Sequence, residues 1–162
     1  MRVLDTAALL HWPVERCRGG IVAISQQDEL LRVDEQRSLL MESASLDWQV
    51  PLESALQNAR EIASETGDLP RLSPVDLDVL ALAIDLNLPL VTDDYRMKNV
   101  ARKAGISVEG VLTSGGKKQW KWILRCIGCR AEEDVPPSAK QSKKDDVQLC
   151  DRCGSPMKLK KG

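Results

Sequence analysis

The sequence predicts an α/β fold, with a central and mostly parallel sheet flanked by helices, followed by a small cysteine-rich module. Three observations lead to this prediction. Short apolar segments alternate with segments of helical periodicity as far as residue 112. A stretch over 113–118 that contains glycine and lysine has the composition of a linker. After it, the chain is rich in lysine and tryptophan and contains two closely spaced pairs of cysteines.

Ten strands and helices are predicted between residues 2 and 112. The strands are short runs of Val, Ile and Leu, and the helices repeat apolar residues every three or four positions. In chain order they are a strand at 2–4, a helix at 7–12, a strand at 21–24, a helix at 26–45, a strand at 48–50, a helix at 52–66, a helix at 74–86, a strand at 88–91, a helix at 93–103 and a strand at 106–112.

Proline and serine set the boundaries in the first part of the chain. Pro13 ends the first helix, because proline cannot donate a backbone hydrogen bond. Ser25 is predicted to cap the long helix over 26–45 at its N-terminus. Its periodicity places four leucines on or near one face: Leu30, Leu31, Leu39 and Leu40.

Glycine and a further serine set the later boundaries. Gly67 and Gly105 each follow a helical segment, and glycine is common just past helix C-termini. Ser73 and Pro74 begin the helix over 74–86, with Asp76 placed to complete a capping box.

Charge divides the chain at the same linker. Residues 1–113 contain 11 Lys or Arg and 18 Asp or Glu, a net charge of −7, and residues 114–162 contain 12 and 6, a net charge of +6. We predict an acidic domain over 1–113, a linker over 114–122 and a basic module over 123–162. A basic tail either binds nucleic acid or forms a solvated surface, and charge alone does not separate the two.

The cysteines predict a metal site. Cys126, Cys129, Cys150 and Cys153 form two C-x-x-C pairs separated by 20 residues. Two such pairs supply four thiolates in the tetrahedral arrangement of a zinc ribbon, although redox-active dithiols share this spacing. Four protein ligands leave no open position, so the predicted zinc is structural. Positive backbone φ angles are expected at Gly128 and Gly154 in the tight turns.

The sequence does not predict a membrane protein. No run approaches the roughly 18–20 apolar residues that span a bilayer. The N-terminal segment contains Asp5 and lacks the features of a secretory signal. We therefore expect a soluble, cytoplasmic protein.

Acidic residues recur where strands end and helices begin. Asp5 follows the first strand, and Asp93 and Asp94 follow the strand at 88–91. Asp76 and the acidic pair at 28–29 lie in first turns of helices. Because ligands bind at the carboxyl ends of parallel strands, we expect these carboxylates to converge on one edge of the sheet. Each one taken singly also suits a helix cap.

A cluster of carboxylates indicates a divalent metal ion. Such groups repel one another unless a cation is present, and Mg²⁺ or Mn²⁺ prefers oxygen ligands. The ion activates water and neutralises charge on a phosphodiester, which is the chemistry of a nuclease. This chemistry needs no histidine, and His11 is more simply a surface or packing residue.

Three segments resemble a known family. They are VLDTAALL (3–10), LSPVDLDVLALAIDLNLPLVTDDYRMKNVA (72–101) and the four-cysteine ribbon. Together they resemble PIN-domain ribonucleases, and more narrowly the Nob family of ribosome-maturation endoribonucleases, which join a PIN domain to a zinc ribbon. The resemblance covers nearly the whole chain and is weakest over 13–66.

The resemblance implies a site and a substrate. The positions that match the acidic residues of the family, and would hold Mg²⁺ or Mn²⁺, are Asp5, Asp76 and Asp94. Asp93 is a neighbouring candidate ligand, and the acid of the first long helix is either Asp28 or Glu29, of which we prefer Glu29. Polar support residues fall at Thr6, Thr92 and Asn99. The implied reaction is cleavage of single-stranded RNA near the 3′ end of the small-subunit rRNA, on the precursor of the small ribosomal subunit.

Cations and aromatic residues precede the ribbon, and further lysines lie within it. Aromatic rings stack on bases and lysines neutralise phosphates. The candidate RNA-binding residues are Lys117, Lys118, Trp120, Lys121, Trp122, Lys143 and Lys144. The tryptophans equally suit packing of the ribbon against the main domain. Two other functions are compatible with the sequence: a non-catalytic RNA- or ribosome-binding scaffold, and a toxin-type PIN ribonuclease.

Overall fold

The computed structural model describes residues 1–113, 119–143 and 146–162. The first sheet, with its helices, is called here the α/β unit. Its strands are β1 (Val3–Leu4), β2 (Ile21–Ala23), β3 (Asp47–Gln49), β4 (Leu90–Val91) and β5 (Val108–Glu109). The C-terminal sheet contains β6 (Trp122–Cys126), β7 (Glu132–Asp134), β8 (Asp146–Leu149) and β9 (Pro156–Lys161).

Seven α-helices accompany the first sheet in the described part of the chain. They are α1 (Thr6–His11), α2 (Val14–Cys17), α3 (Gln26–Val33), α4 (Glu35–Met41), α5 (Glu53–Thr66), α6 (Pro74–Leu86) and α7 (Tyr95–Lys103). Short 3₁₀ turns occupy Glu42–Ala44 and Leu69–Arg71. None of these helices is long and apolar enough to cross a bilayer.

The first sheet is parallel throughout, with the strand order β3-β2-β1-β4-β5. This arrangement confirms the predicted fold class. Strands β1 and β4 are neighbours, and Leu4 is in register with Val91. The residues that follow these two strands, Asp5 and Thr92, therefore meet at the carboxyl edge of the sheet.

The C-terminal sheet is antiparallel, with the order β7-β6-β9-β8. It shares a hydrophobic core with the α/β unit. This core joins Leu124, Val135 and Met157 from the C-terminal sheet and its loops with Ala59, Ala63 and Leu69 from the α/β unit. Ser64 Oγ also donates a 2.5 Å hydrogen bond to the carbonyl of Val135. The second sheet is thus packed on the first unit.

The predicted single helix over 26–45 is wrong. The chain leaves helical geometry at Asp34, where φ is −154° and ψ is 98°, and the Asp34 side chain accepts a 3.0 Å hydrogen bond from the backbone N–H of Arg37. Aspartate caps the second helix because its short carboxylate competes for backbone donors. Of the four leucines placed on one face, Leu30 is buried and the other three are exposed.

Predicted caps and ends are otherwise largely confirmed. The capping box at Ser73 and Asp76 is present, and Gly67 follows α5 with φ of 79°. Ser25 does not cap α3, because its backbone is already helical and its hydroxyl donates instead to Asp78 at 2.7 Å. The last strand spans only Val108–Glu109 of the predicted 106–112.

Candidate active site and cysteine centre

Two neighbouring strand ends position the first carboxylate. Asp5 caps α1, and its Oδ1 accepts a 2.8 Å hydrogen bond from the backbone N–H of Thr6. Its Oδ2 accepts a 2.6 Å hydrogen bond from the hydroxyl of Thr92, at the end of β4. The Asp5 side chain is therefore held by both strands that meet at this edge.

Thr92 links Asp5 to Asp94. The backbone N–H of Asp94 donates to Thr92 Oγ1 at 3.0 Å, while that hydroxyl donates to Asp5. Asp94 caps α7, and its Oδ1 accepts from the backbone N–H groups of Arg96 and Met97 at 2.8 and 3.2 Å. Its position is therefore determined by the start of α7.

A capping box positions Asp76. The Oδ2 of Asp76 accepts a 2.8 Å hydrogen bond from the backbone N–H of Ser73, and Ser73 Oγ accepts a 3.1 Å bond from the Asp76 N–H. The capping interpretation of this residue is confirmed. The interaction also holds the carboxylate in the first turn of α6.

Glu29 joins the carboxylates through Thr6. Thr6 Oγ1 donates a 2.6 Å hydrogen bond to Glu29 Oε2. Glu29 is half-buried in the first turn of α3, whereas Asp28 beside it is exposed. The structure therefore brings Glu29, and not Asp28, to the residues that follow β1.

The carboxylates act on one another electrostatically. Burial, together with the charges of Asp76 and Asp94, raises the pKa of Asp5 from 3.8 to about 7, despite two hydrogen bonds that favour its ionised form. Burial also raises the pKa of Asp76, and the charges of Asp94 and Glu29 add to that effect. Asp5 and Asp76 thus each lie close enough to other carboxylates for those charges to oppose their ionisation.

This donor set fits a hard divalent cation. Within the described ranges, no set of three Asp, Glu, His or Cys side chains other than the cysteines converges closely enough to hold an ion as it stands. Mg²⁺ binds through one or two carboxylates and keeps several waters, so two of these side chains would be enough to hold it. An ion there would also favour the ionised forms of Asp5 and Asp76, whose pKa values are raised by burial and, to a smaller extent, by the neighbouring carboxylates.

Sequence reasoning missed Gln26. Its side chain is fully buried, and its Oε1 accepts a 2.7 Å hydrogen bond from the backbone N–H of Ala23. Its Nε2 donates to the carbonyl of Leu4 at 3.0 Å and to Thr6 Oγ1 at 3.3 Å. Gln26 thus joins the ends of β1 and β2 and supports the hydroxyl that contacts Glu29. The one available signal was an amide side chain three residues after a buried strand.

Asp93 lies beside the site, and its side chain binds elsewhere. Its carboxylate accepts hydrogen bonds from the backbone N–H groups of Val111 and Leu112 at 2.8 and 2.9 Å and from the hydroxyl of Thr113 at 2.8 Å. Although burial acts to raise its pKa, these bonds hold the pKa of Asp93 below its ordinary value. Asp93 therefore holds the turn that follows β5.

Of the three predicted support residues, two contact the carboxylates and one does not. Thr6 and Thr92 contact the carboxylates, as described above. Asn99 does not: its amide binds Asp68 and the backbone of Trp120.

The four cysteines form a second cluster. Their sulfur atoms all lie within 4.8 Å of one another. The Cys126 and Cys153 sulfurs are 3.3 Å apart, and those of Cys129 and Cys150 are 3.6 Å apart. Four thiolates around one zinc ion lie about 3.8 Å apart, because Zn–S bonds are about 2.3 Å long. The residues therefore fit a tetrahedral metal ion, in agreement with a zinc ribbon.

The two glycines in the cysteine turns have different roles. Gly154 has a φ of 76°, as predicted. Gly128 does not have a positive φ, and Arg130 adopts that geometry instead, with φ of 62°. A Cβ atom at Gly128 would lie 2.6 Å from Ser155 Oγ, so the close approach of the two turns explains this glycine.

A basic cleft lies on the C-terminal sheet. It encloses about 530 Å³, and its charged lining residues are Arg125, Arg130, Lys158 and Lys160. Glu132 offsets part of this charge through ion pairs with Arg125 and Lys160 at 3.7 and 3.6 Å. Lys121 is exposed and pairs with Asp134 at 3.1 Å. Of the other lysines predicted to bind RNA, Lys143 is exposed, and Lys117, Lys118 and Lys144 lie outside the described residues.

Both tryptophans before the ribbon are half-buried and contact cations. Lys161 Nζ lies 3.5 Å from the centre of the Trp120 ring. Arg96 of α7 lies 4.8 Å from the centre of the Trp122 ring. Trp122 therefore packs against the α/β unit, which agrees with the packing alternative for this residue.

Comparisons with known proteins identify the family of the first part of the chain and relatives that extend further along it. Residues 3–86 match the family described as the PIN domain of ribonuclease. An endoribonuclease Nob1 of Pyrococcus abyssi is 37% identical over 131 residues, which span 78% of this chain and 75% of the relative. An endoribonuclease Nob1 of Methanocaldococcus jannaschii is 32% identical over 170 positions, covering 99% of this chain and 77% of the relative.

A further relative matches a smaller part. A ribonuclease VapC1 of Thermoplasma acidophilum is 38% identical over 103 residues, or 64% of this chain and 48% of the relative. The match to the Methanocaldococcus protein instead extends over nearly the whole chain. The chain therefore belongs to the PIN-domain ribonucleases and, within them, to the Nob1 endoribonucleases.

Proposed function

We propose that this protein is a metal-dependent endoribonuclease that cleaves single-stranded precursor RNA near the 3′ end of the small-subunit rRNA during ribosome maturation. One observation carries the proposal: Asp5, Glu29, Asp76 and Asp94 act on one another at the carboxyl edge of the sheet in a chain of the Nob1 family. Asp93, whose carboxylate holds the neighbouring turn, retains a secondary place in this proposal.

The catalytic residues have separate tasks. Asp5, Asp76 and Asp94 would hold one or two Mg²⁺ or Mn²⁺ ions, which when bound supply an activated water and charge neutralisation at the phosphodiester. Thr92 keeps Asp5 and the start of α7 in a fixed relation. Thr6 orients Glu29 through its hydroxyl. Preorganised carboxylates reduce the rearrangement needed when metal and RNA bind.

The C-terminal module would hold the substrate. Cys126, Cys129, Cys150 and Cys153 would bind a structural zinc ion that stabilises the small sheet. The basic cleft beside them provides cations for the RNA backbone, in addition to the candidates before the ribbon. In this proposal the acidic domain over 1–113 cuts, the linker over 114–122 connects, and the ribbon over 123–162 binds.

Cell location and partner follow from the same proposal. Four free thiols arranged around one point persist in a reducing compartment, which supports a cytoplasmic location. The precursor RNA would be met on the small ribosomal subunit.

The alternatives explain less of the chain. Similarity to a VapC ribonuclease favours a toxin-type enzyme, but it spans only 64% of the residues. A non-catalytic scaffold would not need several carboxylates close together at sites where burial, and then the neighbouring charges, raise the pKa values of Asp5 and Asp76.

Cleavage mapping tests the proposed substrate. The full chain, loaded with zinc, is incubated with Mn²⁺ and an RNA that spans the 3′ end of the small-subunit rRNA and its precursor extension. Primer extension should locate one dominant cut near the mature end. A shuffled RNA of equal length and composition is the matched control and should be cut poorly. Cleavage at scattered positions in both RNAs would refute the substrate, and no cleavage of either would favour the scaffold.

A further inference from the structure

Asn99 binds the segment that leads into the C-terminal sheet. Its side chain is fully buried, and its Oδ1 accepts a 2.7 Å hydrogen bond from the backbone N–H of Trp120. Its Nδ2 donates a 2.9 Å bond to the carbonyl of the same residue. One amide side chain thus pairs with both backbone groups of Trp120, as a neighbouring strand would.

Two further side chains hold this amide in place. Asp68, whose side chain is completely buried, accepts a 2.6 Å hydrogen bond from Asn99 Nδ2. Gln119 Nε2 donates to Asn99 Oδ1 at 2.8 Å and to the Asn99 carbonyl at 3.1 Å. We call Asp68, Asn99, Gln119 and the backbone of Trp120 the junction network. Its bonds determine which way the Asn99 amide points.

The start of β6 is enclosed on both sides. On one side, Arg96 of α7 lies over the Trp122 ring and forms a 3.4 Å ion pair with Asp68. On the other side, a Cβ atom at Gly67 would lie 1.9 Å from the Trp122 carbonyl oxygen. The end of α5 therefore lies directly against β6, and the chain has little freedom where it enters the C-terminal sheet.

The same helix carries a catalytic carboxylate. Asp94 caps α7, and Asn99 lies five residues later on it, or about 7.5 Å along the helix axis. Any movement of β6 relative to α7 would thus change the distance between the basic cleft and the carboxylates.

We propose that Asn99, supported by Asp68 and Gln119, is a positioning residue that fixes the RNA-binding sheet relative to Asp94. The inference rests on the proposed function. It gives Asn99 a role different from that of a support residue beside the carboxylates. RNA held on the C-terminal sheet is then presented to the carboxylates in one register, so that affinity for long RNA and accuracy of the cut both depend on this amide.

The test compares two RNA substrates in the zinc-loaded full chain with Mn²⁺. One is a short oligonucleotide that covers only the carboxylate site, and the other is long enough to reach the basic cleft. In Asn99→Ala, the ratio of kcat/KM for the long RNA to kcat/KM for the short RNA should fall at least about tenfold, mostly through KM, because linked contacts no longer act together. Mapped cuts in the long RNA should spread over several positions.

Two more variants complete the design. Gln119→Ala removes the two hydrogen bonds that this exposed residue donates to Asn99, and leaves the bonds between Asn99 and Trp120 in place. It should shift the ratio in the same direction by a smaller factor. Asn58→Ala, on the exposed face of α5, is the matched control and should leave the ratio unchanged. An equal loss on both RNAs in Asn99→Ala would overturn the proposal, because that result assigns Asn99 to the carboxylates.

Hydrogen exchange separates this proposal from the proposed function. The backbone N–H of Trp120 should exchange faster in Asn99→Ala and Gln119→Ala than in the wild type, whether or not any RNA is cut. Unchanged exchange at 119–123 in both variants would refute the positioning role. Absence of RNA cleavage by the wild type, together with faster exchange in the variants, would refute the proposed function alone.

Discussion

At the scale of single residues, the carboxyl edge of the sheet is organised by hydroxyl groups. Thr92 donates to Asp5 and accepts from the backbone of Asp94, so one side chain joins two predicted ligands. Thr6 does the same between Gln26 and Glu29. The carboxylates repel one another in the absence of a cation, and these bonds keep them together.

Asp5 should reduce stability at neutral pH in the metal-free protein. The folded state keeps its proton up to about pH 7, whereas the unfolded chain loses it near pH 3.8. The unfolded state therefore binds fewer protons between these values, and stability falls as pH rises through them. In Asp5→Asn, the free energy of unfolding relative to wild type should increase by roughly 1–4 kcal/mol from pH 4 to pH 8.

Urea unfolding at the two pH values measures this difference. Asp85→Asn changes an exposed carboxylate on α6 and serves as the control. If the free energies of unfolding of Asp5→Asn and wild type differed by the same amount at pH 4 and pH 8, the Asp5 carboxyl would not be buried and held as described.

Sequence reasoning finds the acids but not their partners. Asp5 and Asp94 were predictable because they follow apolar strands. The hydroxyl of Thr92 reaches Asp5 only because Leu4 is in register with Val91, and a pairing between residues so distant in sequence leaves no local pattern. The burial of Gln26 was not predictable for the same reason, because its hydrogen-bond partners lie at the ends of two different strands.

At the scale of elements, helix starts place the carboxylates that we propose to be catalytic. Asp5 begins α1, Asp94 begins α7, and Asp76 lies in the first turn of α6. The positive end of a helix dipole favours negative charge there, so the positions suit carboxylates before any metal binds. The residues that cap these helices are thus the same ones that we propose for catalysis.

Loss of the serine of the capping box should weaken α6. Ser73→Ala removes the acceptor for the Asp76 N–H and should cost about 1 kcal/mol in the free energy of unfolding, measured with urea. Activity should fall as well, because the first turn that carries Asp76 frays more often. Ser54→Ala, at an exposed position in the first turn of α5, is the control. Equal stability of the two variants would contradict the capping account.

Helix boundaries were predictable where the capping residues lie next to the helix in the sequence. Gly67 and the capping box at Ser73 follow from residue type and spacing alone. The break at Asp34 was missed because leucines on both sides continue a helical period. Three of these four leucines are exposed in the structure. A helical period therefore does not by itself predict burial, which depends on what packs against the helix.

At the scale of the whole molecule, opposite charges occupy two packed parts. Residues 1–113 have a net charge of −7 and residues 114–162 a net charge of +6. Composition alone predicts this division. The shared core and the junction network were not predictable, because they join Leu124 and Trp120 to helices far away in sequence. The two parts therefore share one core, and in the proposed function one part cuts the RNA that the other holds.

The central claim is that the carboxylates cut and the C-terminal sheet binds. Asp94→Asn tests it most directly, because asparagine keeps the oxygen that caps α7 and removes only the negative charge. Single-turnover cleavage and equilibrium binding are measured on one labelled single-stranded RNA with Mn²⁺. We predict a loss of cleavage rate greater than about 100-fold, with binding unchanged. Cleavage at the wild-type rate by Asp94→Asn would contradict the account.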